Sequence, residues 1–100
     1  MKLTFDIDRA VAVEQHLGRK LGEIVKEAES ETGLALGTLR ALLAAGSAPL
    51  FMPQLLGYEL TQHDLARANG MLQASGTGAC AEAVGKALGA FLRRIEREAA

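Results

Sequence analysis

The chain has 100 residues, 49% hydrophobic and 23% charged, with eleven basic side chains set against twelve acidic ones for a formal net charge of −1. That is the size of one compact domain, and the balance leaves no surplus of cations to draw a nucleic-acid backbone or an anionic membrane by bulk attraction. Aromatic residues make up only 4%, Trp is absent and Gly reaches 11, so the apolar content is mostly Ala and Leu, which pack helices closely but bury little area each.

The single cysteine, Cys80, has no intrachain partner for a disulfide and nothing points to an oxidising compartment. Asp6, Asp8 and Arg9 interrupt the stretch where a signal peptide needs unbroken apolar residues, and no run approaches the roughly 18 residues of a membrane span. A soluble cytoplasmic protein is the expectation, without membrane attachment.

Lys2 to Asp8 alternates, with Leu3, Phe5 and Ile7 on one side and Lys2, Thr4, Asp6 and Asp8 on the other. It reads as a short half-buried strand, or as the run-up to a helix with Asp6 at its N-cap and Asp8 in its first turn. The first helix then carries Ala10, Val11, Glu14 and Leu17 and stops at Gly18. Leu21, Ile24, Val25 and Ala28 define a second, with Lys20, Glu23, Lys26, Glu27 and Glu31 on a solvated face and an end near Gly33. A third, through Leu36, Leu39, Leu42 and Leu43 to Gly46, is broken only by Thr38 and Arg40 and must be buried on most sides.

From Gly46 to Leu60 the pattern changes, because Pro49 and Pro53 forbid a continuous helix. Leu50, Phe51, Met52, Leu55, Leu56, Tyr58 and Leu60 make this the densest run of bulky apolar residues in the chain. It reads either as a lid closing a small core or as a docking segment. Thr61 with Asp64 has the form of a capping box opening a fourth helix through Leu65, Ala68 and Leu72 to Ser75-Gly76. A fifth carries Cys80, Val84, Leu88, Phe91 and Ile95, with Glu82, Lys86, Arg93 and Arg97 opposite. Gly85 and Gly89, four apart, offer room for another helix to approach. The expected fold is therefore a single helical domain over residues 1–100: mainly α, a compact bundle of about five short helices, with the N-terminal strand left open.

Catalytic chemistry finds no support. Gly76-Thr77-Gly78-Ala79-Cys80-Ala81 satisfies the G-x-G-x-x-A string but lacks a preceding strand, and Glu96 and Glu98 sit on the same helix, so helix capping explains it better. His16 and His63 have no ligand partner at i+3 or i+4, and both read as surface residues. No Walker loop, nucleophile elbow or paired-carboxylate pattern occurs. No catalytic residue, metal site or cofactor is expected, and Cys80 reads as a small buried apolar residue. Residues 23–46 have the outline of a helix-turn-helix with Gly33 in the turn. The second helix offers base edges only Thr38 and Arg40, however, and the preceding one has four glutamates to one lysine between Glu23 and Glu31. A small DNA-binding regulator is the alternative reading, with Arg93, Arg94 and Arg97 of a dimer as added cations. An apolar ligand carrier with a dry cavity is a third.

The order of features resembles the small tail assembly chaperones of long-tailed bacteriophages and of gene transfer agents. The similarity rests on LTFDIDRAVAVEQHLGRKLGEIV at 3–25, GTLRALLAAG at 37–46, LTQHDLARANGML at 60–72 and AEAVGKALGAFL at 81–92. Glu14 with Leu17-Gly18 matches the family's Glu before Leu-Gly. Leu39, Arg40, Leu42, Leu43, Ala45 and Gly46 match L-R-x-L-L-x-A-G, and Leu60-Thr61 matches the Leu-Thr that opens the next helix. Where the family runs through a shorter, more polar stretch, this chain has the apolar Pro-containing segment from Ser47 to Glu59. The resemblance implies a non-enzymatic role, coating the tape measure protein until tail-tube subunits replace it, with self-association. Leu50, Phe51, Met52, Leu55, Leu56 and Tyr58 are then the candidate partner-binding residues, since bulky apolar anchors dominate protein interfaces.

Overall fold

The computed structural model describes residues 2–31, 33–48 and 59–99. They form four helical elements, α1 (Ile7–Leu17), α2 (Leu21–Glu29), α3 (Leu36–Ser47) and α4 (Gln62–Ala99), and no strand. Residues 2–6 are neither helix nor strand, and one backbone hydrogen bond ties them to α3, Thr4 N–H donating to Gly46 O (2.9 Å). Of the two readings of this stretch, the lead-in to a helix capped by Asp6 is the one the structure has. The alternation survives to Phe5, which is buried, and fails at Ile7, which is 63% exposed. The helix begins at Ile7, so the side-chain period changes there from 2 to 3.6 and Ile7 turns outward.

Asp6 is the N-cap of α1, with φ −143°, and its Oδ1 accepts from Arg9 N–H (2.8 Å). Gly18 ends the helix in the left-handed region at φ 64°, its N–H donating to Glu14 O. Val13 rather than Val11 fills the core. α2 stops at Ser30, short of Gly33, and buries only Ile24 fully. α3 buries eight of its twelve residues, as expected of so apolar a helix, yet Leu36 is 61% exposed. Gly46 lies inside α3 rather than closing it.

The expected fourth and fifth helices are joined in one 38-residue element whose single non-helical residue is Gly76 (φ 82°, ψ 162°). Straight, such a helix would be about 57 Å long, whereas the longest extent of the molecule is 37 Å. The two arms, 62–75 and 77–99, therefore bend at Gly76. Across that bend Cys80 Sγ donates to Met71 O (3.6 Å). α3 is the central element, packed on α1 and on α4. Ala68, Cys80, Val84, Leu88 and Phe91 of α4 close over Leu39, Leu42 and Leu43 of α3 in one hydrophobic cluster that includes Phe5, Val13 and Ile24.

Candidate functional site

The six residues expected to bind a partner, Leu50, Phe51, Met52, Leu55, Leu56 and Tyr58, lie outside the described residues. What the structure does show is how the chain is held on either side of them. A helix leaves its last carbonyls unsatisfied and carries partial negative charge there, and α3 has no basic residue in its own last turn. Two arginines from other helices supply the cations.

Arg9, only 7% exposed, donates through Nη1 to Ala45 O (2.8 Å) and Ala48 O (3.1 Å). Its Nε lies 3.4 Å from Asp6 Oδ2, so the carboxylate that caps α1 also orients the arginine. On the other side of α3, Arg67 donates from Nη2 to Ala44 O (2.9 Å) and from Nε to Ser47 Oγ (3.0 Å). Arg67 is in turn steered by Asp64 Oδ1 (2.9 Å). The capping box is present as well: Thr61 N–H and Oγ1 donate to Asp64 Oδ2 (3.0 and 2.9 Å), and Asp64 N–H donates to Thr61 Oγ1 (3.1 Å). The start of α1, the end of α3 and the start of α4 are thereby tied at one end of the molecule. The chain leaves this end at Ala48 and is back at it by Thr61.

Sequence reasoning missed both arginines. The available signal was a repeated spacing, Asp6 with Arg9 and Asp64 with Arg67, each near the start of a helix. An Asp-x-x-Arg pair places a carboxylate beside a cation at i+3, leaving the guanidinium's remaining donors free to reach a neighbour.

The same end shows where close approach is required. A Cβ on Gly46 would fall 3.0 Å from Phe5 Cζ and 3.4 Å from Leu3 Cβ. The ring of Phe5 rests on the glycine, and Arg94 Nη2 donates to Phe5 O (2.7 Å). Gly85 and Gly89, expected to admit a neighbouring helix, face none among the described residues. Nothing described lies within 4 Å of a Cβ at Gly85, and only Arg93 Nη1 at 3.7 Å of one at Gly89.

Two glutamates, Glu14 from the stripe of α1 and Glu27 from the face of α2 that reads as solvated, have structural roles. Glu14 Oε2 accepts from Leu21 N–H (2.7 Å), capping α2 where Lys20 supplies no side-chain cap. Glu27 Oε1 accepts from Ala35 N–H (2.6 Å) just before α3, and its Oε2 pairs with Arg19. The Ala35 amide first, and then Arg19, hold the Glu27 carboxyl below its ordinary pKa.

His16 and His63 are exposed and Cys80 is buried, as their settings in the sequence suggested. Among the described residues no three His, Cys, Asp or Glu side chains gather where they could hold a metal. No described helix is long and apolar enough to cross a membrane. A groove of about 490 Å³ runs between Lys2, Leu3 and the alanines Ala79, Ala83 and Ala87, open to solvent rather than enclosed. Of the two residues the DNA-binding reading needed on α3, Thr38 is 4% exposed, and Arg40 is half-buried with its Nε shielded from water. No family model, curated protein or solved structure matches the chain.

Proposed function

We propose that this chain is a non-enzymatic protein–protein interaction module of the phage tail assembly chaperone type, acting in the cytoplasm. It holds the apolar segment containing Leu50, Phe51, Met52, Leu55, Leu56 and Tyr58 against a helical stretch of a tape measure protein until tail-tube subunits replace it. The observation that carries this reading is the double arginine clamp. It ties the end of α3, which precedes a segment with six bulky apolar residues within nine positions, to α1 and to α4, which follows that segment, and bulky anchors on a rigid frame are what protein interfaces use. The likeness of four sequence stretches to that family is the second support. The helix-turn-helix alternative over 23–46 draws no support from the burial of Thr38.

The test is co-expression with a tape measure protein of a long-tailed phage. The chain should co-purify with it, and the Phe51→Ser/Leu55→Ser variant should stay folded by circular dichroism and lose it. A variant that unfolds assigns the segment to the core and refutes docking. Steeply salt-dependent binding to duplex DNA that falls on loss of Arg40 would favour the regulator instead.

A further inference from the structure

Gly76 is a hinge of one residue between two helical arms. Its φ of 82° and ψ of 162° make the bend, and it is the single non-helical residue between Gln62 and Ala99. Glycine enters positive φ about as readily as negative, so rotation at Gly76 alone converts the two arms into one straight helix. Packing at the bend does not oppose this. Residues 73–79 are all exposed, and a Cβ on Gly76 would meet nothing described within 4 Å. The bond from Cys80 Sγ to Met71 O (3.6 Å), which crosses the bend, is a weak one. A straight α4 also pairs amides and carbonyls that a break leaves without intrahelical partners.

The 77–99 arm is held down by residues far from the hinge. Cys80, Val84, Leu88 and Phe91 close over α3 in the hydrophobic cluster, and Arg94 Nη2 donates to Phe5 O. These partners come from segments ahead of residue 48, so nothing in the contacts requires the arm and its seat to belong to one chain. A straight α4 of about 57 Å, in a molecule whose longest extent is 37 Å, carries the arm off its seat and bares its four buried side chains. The surface that matches them is the seat left empty on a second copy whose own α4 has straightened.

We propose that two copies of this chain exchange their 77–99 arms, each straightening at Gly76 and laying its arm on α3 of the other. The exchange is reciprocal, so a two-fold dimer closes, and each copy recovers the core contacts of the bent form. Where the two straight helices pass one another the sequence reads Ala74-Ser75-Gly76-Thr77-Gly78-Ala79. All six side chains are small, and the backbones can come close there. In dilute solution no second copy is at hand to cover the arm, and the bent chain prevails. With the core contacts equal in the two forms, the hinge and the protein concentration decide between them. The exchange does not depend on the partner-binding reading, because it uses only α3, α4 and Phe5.

The test is refolding of the full chain from urea at rising protein concentration, with the products separated by size-exclusion chromatography and sized by light scattering. At millimolar protein a dimer should form that returns to monomer only slowly on dilution, because the arm must first leave a buried core. A dimer refolded from isotope-labelled and unlabelled chains should show nuclear Overhauser contacts between chains, from the Val84 and Leu88 methyls to those of Leu42 and Leu43. Thr77→Pro should lock the bend. Thr77 is the first helical residue after Gly76, a place that suits proline, and the ψ of 162° at Gly76 lies in the extended range proline imposes on its predecessor. The variant should unfold at a urea concentration no lower than wild type. Its dimer association constant should fall at least about a hundredfold, the effect of a proline inside a straight helix. A chain monomeric at every concentration, or a dimer whose arm-to-α3 contacts stay within one chain, would overturn the proposal. So would Thr77→Pro that dimerises as wild type does, or that does not fold.

Discussion

Replacing Gly76 by alanine tests the bend in α4, because the new methyl group meets no described atom within 4 Å and any cost comes from the backbone alone. Gly76 has φ 82° and ψ 162°, a region essentially closed to L side chains, where a non-glycine residue costs about 1–3 kcal/mol. Alanine also narrows the unfolded ensemble, which returns about 0.4–1 kcal/mol, so the net loss should be about 0.5–2 kcal/mol. Straightening the helix to escape the strain would pull the 77–99 arm away from α3 and expose Cys80, Val84, Leu88 and Phe91, all buried now. At about 1.5–3 kcal/mol per fully buried large side chain, that route is dearer than the strain, so the bend should persist. The same substitution at Gly85 has the opposite sign. That site is helical and equally open, and alanine should gain about 0.8–1 kcal/mol of helix propensity there. Urea unfolding of both variants should therefore show midpoints displaced in opposite directions, with melting temperatures separated by several degrees, at about 4–8 °C per kcal/mol for a domain of this size. A Gly76→Ala variant as stable as wild type would refute the backbone assigned to Gly76, and a radius of gyration that rises on substitution would refute the expectation that the bend persists.

Gly46→Ala should destabilise although the site is helical, because its Cβ would press to 3.0 Å of the buried Phe5 ring. Overpacking of about 1–3 kcal/mol outweighs the propensity gain, and trimming Phe5 to Leu in the same chain should recover part of it by thermal melting. Arg9→Met should cost about 1.5–3 kcal/mol, the range for hydrogen bonds to a charged group, by leaving Ala45 O and Ala48 O without their donor. Its effect should grow less than additively with Arg67→Met, since both act on one helix end. Glu27 gives a pH signature: its folded-state pKa lies below the ordinary value of 4.5, so its contribution is present above that value and fades as pH falls through the folded value. Wild type should lose stability relative to Glu27→Gln on acidification below pH 4.5, and parallel unfolding curves for the two would refute the bridge to Ala35 and Arg19.

Much of the local structure could be read from residue order. Asp6 and Gly18 bracket α1, Thr61 and Asp64 open α4, and the stripe from Cys80 to Phe91 turns inward. Each of these depends on neighbours within one or two turns, where spacing and capping chemistry are enough. The errors fall where distant segments decide. Ile7 and Leu36 are apolar and periodic yet exposed, because no other described element reaches them. Glu27 sits on a face that looks solvated and Glu14 among the apolar residues of α1, but the short connections that follow each helix bring backbone amides to them. The candidate partner segment was legible only as composition, whereas the arginines that hold the end of α3 before it were hidden among ordinary surface charges.

What the sequence determined by itself is the helical class, most of the helix starts and stops, and a core of small and medium apolar side chains around α3, all consequences of short-range sterics and periodicity. Tertiary structure alone decided that two Asp-x-x-Arg turns converge on the end of α3, that Gly46 rather than Gly85 or Gly89 is the glycine of closest approach, and that Arg40 Nε lacks an acceptor among the described residues. Those facts depend on which carbonyls, rings and carboxylates arrive from residues more than twenty positions away, a choice made by packing the whole chain at once.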